Sequence, residues 1–332
     1  MTAAASTPAP IRWGILGTAH IARAAFLPAL RAAGGLAVAV ASRDTGAAER
    51  WAARHGVERV VGGYDRMLAA DDIQAVYIPL PNTLHAAWAM AALRAGKVVL
   101  CEKPLCTSAP ETEAVLGVAQ ETSGLLWEAF VFPFQPQMER VRALLAAGAI
   151  GEVREIQSNY YFTLRDRHNI RFSPELFGGA LNDIGCYPLR LAELVFGGAA
   201  ESAVARAAWA PEGVDEEMSA IAGYSGGRRL VFSCGLMRPY DTFTRLLGTE
   251  GEIRIVNPYH PDPCDHIEIR QLGRETIERL VGPAPSFARA IEHIHAVIRG
   301  EEAPRHLALD ASLATARDLA LVHAAMEVGQ RA

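Results

Sequence analysis

Lysine is nearly absent from this chain: of 32 basic residues only Lys97 and Lys103 are lysines, and the remainder are arginine. A chain so biased keeps a lysine by drift, or where arginine cannot do the job. An ammonium can lose its proton when burial and neighbouring charges depress its pKa, whereas a guanidinium effectively cannot. Cysteine is scarce too. The five, at 101, 106, 186, 234 and 264, are odd in number and lack paired spacing, which predicts reduced thiols in a cytoplasm. No CxxC or HExxH run occurs, so no metal is expected. Apolar runs fall short of the ~18 to 20 residues that span a bilayer. A net charge of −5 with both signs interspersed gives no basic stripe for nucleic acid. The opening stretch lacks a positive segment and an apolar segment, and reads as a loose, disordered tail over residues 1–9.

With 332 residues, half of them hydrophobic, the chain can build two domains with cores of their own. Strands are predicted at 11–16, 36–41, 60–61, 73–78, 98–101 and 125–129. Helices are predicted between them at 20–33, 45–55, 64–70, 83–95 and 108–122, with Gly96 suited to end the fourth. Apolar strands separated by helices imply a parallel sheet covered on both faces, a doubly wound Rossmann layout. The pattern changes at Phe132-Pro133-Phe134-Gln135-Pro136. After a helix at 137–147, alternating segments at 153–162, 201–210, 217–224, 228–236, 243–256 and 265–280 predict an open antiparallel sheet. One face of that sheet should be solvated or covered by a partner. Helices at 286–299 and 310–328 close the chain. The expected fold is therefore α/β, with a dinucleotide-binding domain at 10–129 and an α+β domain for substrate and dimerisation at 130–332. The last helix is placed so that it can pack back on the first domain.

The first strand and turn read Trp13-Gly14-Ile15-Leu16-Gly17-Thr18-Ala19-His20-Ile21-Ala22, a Gly-x-Ala-x-x-Ala variant of the dinucleotide fingerprint. Gly17 permits the tight turn, Ala19 lets backbone approach a pyrophosphate, and Ala22 permits close helix packing. The pyrophosphate would sit on the helix N-terminus, against Thr18, Ala19, His20 and Ile21. After the second strand, where a NAD-preferring site carries an acid, the chain has Ser42-Arg43, with Asp44 one step beyond. A hydroxyl and a guanidinium suit a 2′-phosphate, which favours NADP and leaves NAD possible. An ordinary strand–helix turn and a solvated surface arginine are the plain alternatives. The fourth strand leads into Leu80-Pro81-Asn82-Thr83-Leu84-His85, and the fifth into Glu102-Lys103-Pro104. Both lie at the carboxyl edge, where doubly wound sheets bind ligands.

These stretches, with Gly178-Gly179-Ala180-Leu181-Asn182-Asp183-Ile184-Gly185-Cys186-Tyr187, resemble the Gfo/Idh/MocA oxidoreductase family over nearly the whole chain. The opening Arg12-Trp13-Gly14-Ile15-Leu16-Gly17 and the tyrosine at 187 are similar to the branch of dimeric dihydrodiol dehydrogenase and NADP-linked D-xylose dehydrogenase. The resemblance implies that Lys103 lies beside the nicotinamide and the reacting carbon, with Glu102 next to the cofactor. It implies that Leu80, Pro81, Asn82 and His85 belong to the nicotinamide end. For His85 the alternative is a helix-face histidine satisfied by backbone, and Lys97 reads as structural. Asp183 and Tyr187 are four apart and would share a helix face. Gly178 and Gly179 would let the start of that helix approach a ligand. Tyr187 would take the hydroxyl proton, its pKa lowered from about 10 by a nearby cation; without the resemblance it reads as core. One departure stands out: Pro133 and Gln135 occupy positions where relatives carry polar contacts. Arg165, Arg167, His168 and Arg171 either replace those contacts or are solvated loop charges.

The resemblance thus implies a cytoplasmic NADP-linked dehydrogenase acting on a CH–OH of an aldose such as xylose, or of a cyclic diol. Lys103 and Tyr187 would be the acid/base pair and Asp183 their orienting group, in a homodimer or dimer-based tetramer formed through the C-terminal sheet. Two rivals remain: a hydrolase or lyase of the same fold that retains its nicotinamide, and a non-catalytic dinucleotide sensor. An intact Glu102-Lys103-Pro104 together with Tyr187 argues against the sensor, which needs no proton path.

Overall fold

Six short apolar strands form the first layer: β1 (Arg12–Leu16), β2 (Leu36–Ala41), β3 (Arg59–Val61), β4 (Ala75–Ile78), β5 (Val98–Cys101) and β6 (Leu126–Glu128). They make one parallel sheet in the order β3-β2-β1-β4-β5-β6. The computed structural model describes residues 9–280, 285 and 287–330; residues 1–8 of the expected tail, and Ser286 of the expected helix, lie outside the described residues. The strand order reverses between β1 and β4, the place at whose carboxyl ends doubly wound sheets form their ligand crevice. Residues of β4 are buried throughout, as a central strand covered on both faces requires.

The helices between these strands stop and start on local signals. A π-turn (Ala22–Phe26) precedes α1 (Leu27–Ala32). Asp44 caps α2 (Thr45–His55) by accepting the Ala47 N–H at 2.9 Å. After α3 (Tyr64–Leu68), a 3-10 turn at Asn82–Leu84 leads into α4 (His85–Arg94). Ser108 caps α5 (Ala109–Glu121), and the Glu111 carboxylate returns the bond to the Thr107 N–H at 2.9 Å.

Beyond α6 (Pro136–Ala146) lies an eight-stranded sheet of β7 (Val153–Thr163), β8 (Ser202–Trp209), β9 (Asp215–Tyr224), β10 (Arg228–Gly235), β11 (Met237–Gly248), β12 (Gly251–Val256), β13 (Ile267–Gln271) and β14 (Arg274–Glu278). Its order is β14-β13-β12-β11-β7-β10-β9-β8. All pairs are antiparallel except β7 with β10, which run parallel. The expectation of a wholly antiparallel sheet is corrected at this pair. The crossover that a parallel pair needs is supplied by α7 (Cys186–Phe196) and the β8–β9 hairpin. Residues 243–256, expected as one segment, instead form a hairpin of β11 and β12 with its turn at Thr249-Glu250. α7 and most of α9 (Asp310–Gln330) cover one face of the sheet and close a core containing Leu189, Phe232, Leu246 and Val322. The other face leaves Val204 72% and Ile221 49% exposed.

The expected division at residue 130 does not hold for α8 (Ala288–Ile298). Its apolar stripe, Ile291 and Ile294, packs with Trp13, Phe26 and Trp127 of the first layer, and Trp13 Nε1 donates to His295 Nε2 at 2.9 Å. α9 packs mainly on β8 and α7 and touches the first layer along α5.

Gly178 and Gly179, expected to admit a ligand, are required by the chain's own packing. A Cβ on Gly178 would lie 2.5 Å from the Arg171 carbonyl oxygen. Gly179 has φ +106°, and a Cβ there would lie 2.1 Å from Asp215 Oδ1. Gly178→Ala should therefore cost about 1 to 3 kcal/mol, as overpacking does, and lower the Tm read by circular dichroism. An unchanged Tm would show that the 171–179 loop yields without cost.

Candidate active site

Four strand ends converge on the crevice. At the end of β1, Gly17 has φ +103°, and a Cβ would press Leu80 Cδ2 at 3.1 Å, so only glycine fits between β1 and the end of β4. Its N–H bonds the Ala41 carbonyl at the end of β2 at 2.7 Å. Thr18, Ala19 and Ile21 are partly exposed and His20 is exposed at the start of the helix. Ser42 is partly exposed and Arg43 is exposed, near Tyr64. The nearby acid, Asp44, caps α2 through Oδ1. A tight glycine turn opening onto a helix start, with a hydroxyl and a guanidinium at the next strand, fits a dinucleotide carrying a 2′-phosphate.

Lys103 follows β5, joined to Pro104 by a cis peptide. Its Nζ reaches across to the second layer, where it donates to the Asp183 backbone carbonyl and sits 3.0 Å from Asp183 Oδ1. The two side chains are only 10% and 12% exposed. Asp183 Oδ2 accepts from Arg171 Nε at 2.5 Å, so one carboxylate holds two cations. Burial is the largest single influence and works against the Lys103 ammonium, but Asp183, Cys186 and Glu102 together outweigh it, and the pKa lies above the ordinary lysine value. The depressed lysine suggested by composition is thus corrected: Lys103 is held as a cation. Asp183 is held well below the usual carboxylate range, because Arg171 and Lys103 outweigh its burial. Glu102 accepts from the Tyr77 hydroxyl at 2.5 Å, and burial pushes its carboxyl up.

Tyr187 lies one helical turn after Asp183, its ring centroid 5.2 Å from Lys103 Nζ. A π-turn at Leu181–Gly185 leads into α7 between the two residues. Phe130, Phe132, Tyr160 and Tyr259 wall the ring. Burial, reinforced by Cys186, Glu102 and Asp183, drives the Tyr187 phenol well above its usual range. The expected lowering by a nearby cation is corrected, since burial outweighs the lowering that the Arg171 guanidinium supplies. The Tyr187 hydroxyl lies 3.3 Å from His260 Nε2, in the loop after β12.

His85 is corrected as well. It is fully buried, with Nδ1 2.8 Å from the Pro104 carbonyl and Nε2 2.8 Å from the Leu80 carbonyl. Both ring nitrogens are taken by backbone, so His85 ties the ends of β4 and β5 together and presents nothing to a ligand. Asn82 spans the two layers by donating to the Phe177 carbonyl at 2.9 Å. Of the loop arginines, Arg171 reaches the site through Asp183, whereas Arg167 pairs with Glu212 and Glu216. Arg165 and His168 are exposed.

Three residues escaped the sequence reading. Glu128 accepts the Leu105 N–H at 2.8 Å and the Ser312 hydroxyl at 2.5 Å, pinning the lysine loop to α9. Its place at the carboxyl end of β6 was the available signal. Asp215 accepts the Leu181 N–H at 2.6 Å and so fixes the start of the helix that bears Asp183; burial pushes its carboxyl up to about 7. His260 carried no spacing signal.

Comparison with known proteins gives the family to which this fold belongs. Residues 11–130 fit the model of the oxidoreductase family with a NAD-binding Rossmann fold, and residues 138–254 fit the GFO/IDH/MocA C-terminal domain. The chain belongs to the Gfo/Idh/MocA oxidoreductase family. A D-xylose 1-dehydrogenase (NADP(+)) from Haloferax volcanii is 35% identical over 320 residues, covering 96% of this chain and 98% of that one. A trans-1,2-dihydrobenzene-1,2-diol dehydrogenase from Xenopus tropicalis is 34% identical over 74% of each chain. A 3-ketoreductase from Actinomadura kijaniata, solved with NADP and TDP-benzene, superposes with a TM-score of 0.85 at 33% identity, covering 96% and 98% of the two chains.

Asp183→Asn should leave Lys103 and Arg171 without their shared counter-ion. Removing one partner of a buried pair costs about 3 kcal/mol or more. Chemical denaturation should show a loss of that size, together with loss of turnover. Parental stability in the variant would show that the pair holds nothing together.

Proposed function

We propose that this protein is an NADP-dependent dehydrogenase that moves a hydride between a CH–OH of an aldose or cyclic diol and the nicotinamide. One juxtaposition carries the reading: the Lys103 ammonium, at the crevice of the first sheet, is clamped by Asp183 and lies 5.2 Å from the Tyr187 ring. Gly17 to Ile21, Ser42 and Arg43 would hold the dinucleotide, with Leu80, Pro81 and Glu102 toward its nicotinamide end. When bound, the nicotinamide supplies a carbon that accepts or gives the hydride. Lys103 polarises the substrate oxygen and stabilises the negative charge that develops there. Tyr187 exchanges a proton with that oxygen, and its aromatic surroundings exclude water.

The paired arginines favour an uncharged substrate. Arg167 is paired with Glu212 and Glu216 and Arg171 with Asp183, so the charge that each would offer to the diphosphate of a nucleotide-linked sugar is already partly balanced. The open face of the second sheet, with Val204 and Ile221 exposed, supports pairing with a second copy of the chain.

A panel of D-xylose, trans-dihydrobenzenediol and a dTDP-linked keto sugar, each followed at the nicotinamide absorbance band with NADP and NAD, tests the reading. Turnover of a free sugar or diol with NADP is the expected result. Turnover confined to the nucleotide-linked sugar would overturn the substrate class. Arg43→Ala should weaken NADP by ~1.5 to 3 kcal/mol, the scale of a charged hydrogen bond, and hardly touch NAD. Equal effects on both cofactors would remove Arg43 from 2′-phosphate recognition.

A further inference from the structure

Tyr187 has a difficulty that Lys103 does not relieve. Its phenol is buried and surrounded by Glu102 and Asp183, and the one ammonium beside it among the described residues is already paired. A free phenolate is therefore costly, and a proton received from substrate needs an immediate exit. His260 Nε2, at 3.3 Å, is the side-chain polar group within hydrogen-bond distance of the hydroxyl among the described residues.

The loop that bears His260 is anchored on several sides. Asn257, at φ +48°, donates through Nδ2 to the His260 carbonyl at 2.6 Å and to Asp265 Oδ2 at 2.9 Å. Tyr240 donates its hydroxyl to Asn257 Oδ1 at 2.9 Å, and Gln137 Nε2 donates to the Asn257 carbonyl at 3.0 Å. Edge-on contacts with the Tyr160 and Tyr187 rings fix the imidazole plane. Such anchoring holds one nitrogen toward Tyr187 while the residue remains partly exposed to solvent.

We propose that His260 is the proton relay behind Tyr187. This rests on the role assigned to Tyr187 in the proposed function. In the oxidative direction the substrate O–H proton passes to the Tyr187 oxygen as the Tyr187 proton passes to His260 Nε2. The C–H bond breaks with its electron pair going to the oxidised nicotinamide, and the C=O bond forms. The imidazolium then releases its proton to water. Alcohol and oxidised cofactor become ketone or lactone, reduced cofactor and one proton, and no phenolate accumulates. Reduction runs the same path backwards. Burial and the Lys103 charge pull the His260 pKa down to about 4, which keeps the ring neutral with a lone pair to offer and hastens release of the proton. Because His260 acts through Tyr187, it is a positioning and relay residue and does not touch the substrate.

The test combines a spectroscopic and a kinetic reading. In protein labelled with nitrogen-15 histidine, His260 (assigned by its loss in His260→Gln) should show an unprotonated Nε2 and a protonated Nδ1 at neutral pH. Tyr187→Phe should shift that Nε2 signal. A protonated Nε2 at neutral pH, or a signal indifferent to Tyr187→Phe, would overturn the relay whatever the substrate. With D-xylose and NADP, His260→Gln should lower kcat by roughly 10²-fold, the lower end for a proton-transfer group, with little change in KM. The same substitution should cost nothing further in the Tyr187→Phe background. Equal losses in both backgrounds would assign His260 to packing. Full turnover in Tyr187→Phe alone would instead strike the assignment of Tyr187, so the two failures are told apart.

Discussion

The ion pair between Lys103 and Asp183 is the contact on which the site depends. It joins the crevice of one sheet to the helix that covers the other, and it does so with little solvent present. Two charges taken out of water are favourable only when each finds several partners. Asp183 meets that condition with Lys103 and Arg171, and Lys103 meets it with the carboxylate and the backbone carbonyl of the same residue. The result is a fixed cation at the junction of the two layers. A lysine clamped in this way is a poor proton acceptor, and for that reason the proposed mechanism gives the proton transfer to Tyr187 and the imidazole behind it.

Much of the surrounding structure keeps that pair in register. His85 binds the end of β4 to the Pro104 carbonyl, Glu128 binds Leu105 to α9, and Asp215 holds the N-terminal end of the helix bearing Asp183. Each is a buried polar group whose partners are mostly backbone, the arrangement that low-dielectric interiors require. The glycines at 178 and 179 belong to the same support, since they let the loop bearing Arg171 fold against β9. The site is therefore a junction of rigid elements, and the loops contribute single residues to it.

The sequence made some of this legible and concealed the rest for physical reasons. β2, β5 and α2 were readable to the residue, because glycine, serine and aspartate mark their ends. The β11–β12 hairpin was concealed because alternation continues across its turn. The amphipathic stripe of α8 announced a buried face but not the layer that buries it. Motif, spacing and resemblance pointed to Lys103, Asp183 and Tyr187, which lie together in the structure, yet the charge states of Lys103 and Tyr187 differ from the expectation. Those states depend on which neighbour wins against burial, and Asp183 is 80 residues away from the lysine it controls. His260 lies 73 residues from Tyr187 in an irregular loop, where periodicity says nothing.

The scarcity of lysine offers a direct test of the central claim. Protein grown with lysine carrying carbon-13 at Cε should show two side-chain signals, and Lys97→Arg identifies the one from Lys103. Titration of the NADP-bound protein should leave the Lys103 signal in its ammonium position to at least about pH 10, since its pKa lies above the ordinary value of about 10.4. A midpoint at or below about pH 8 would mean that burial outweighs Asp183. Lys103 would then serve as a proton acceptor, which contradicts a cation held fixed by its carboxylate.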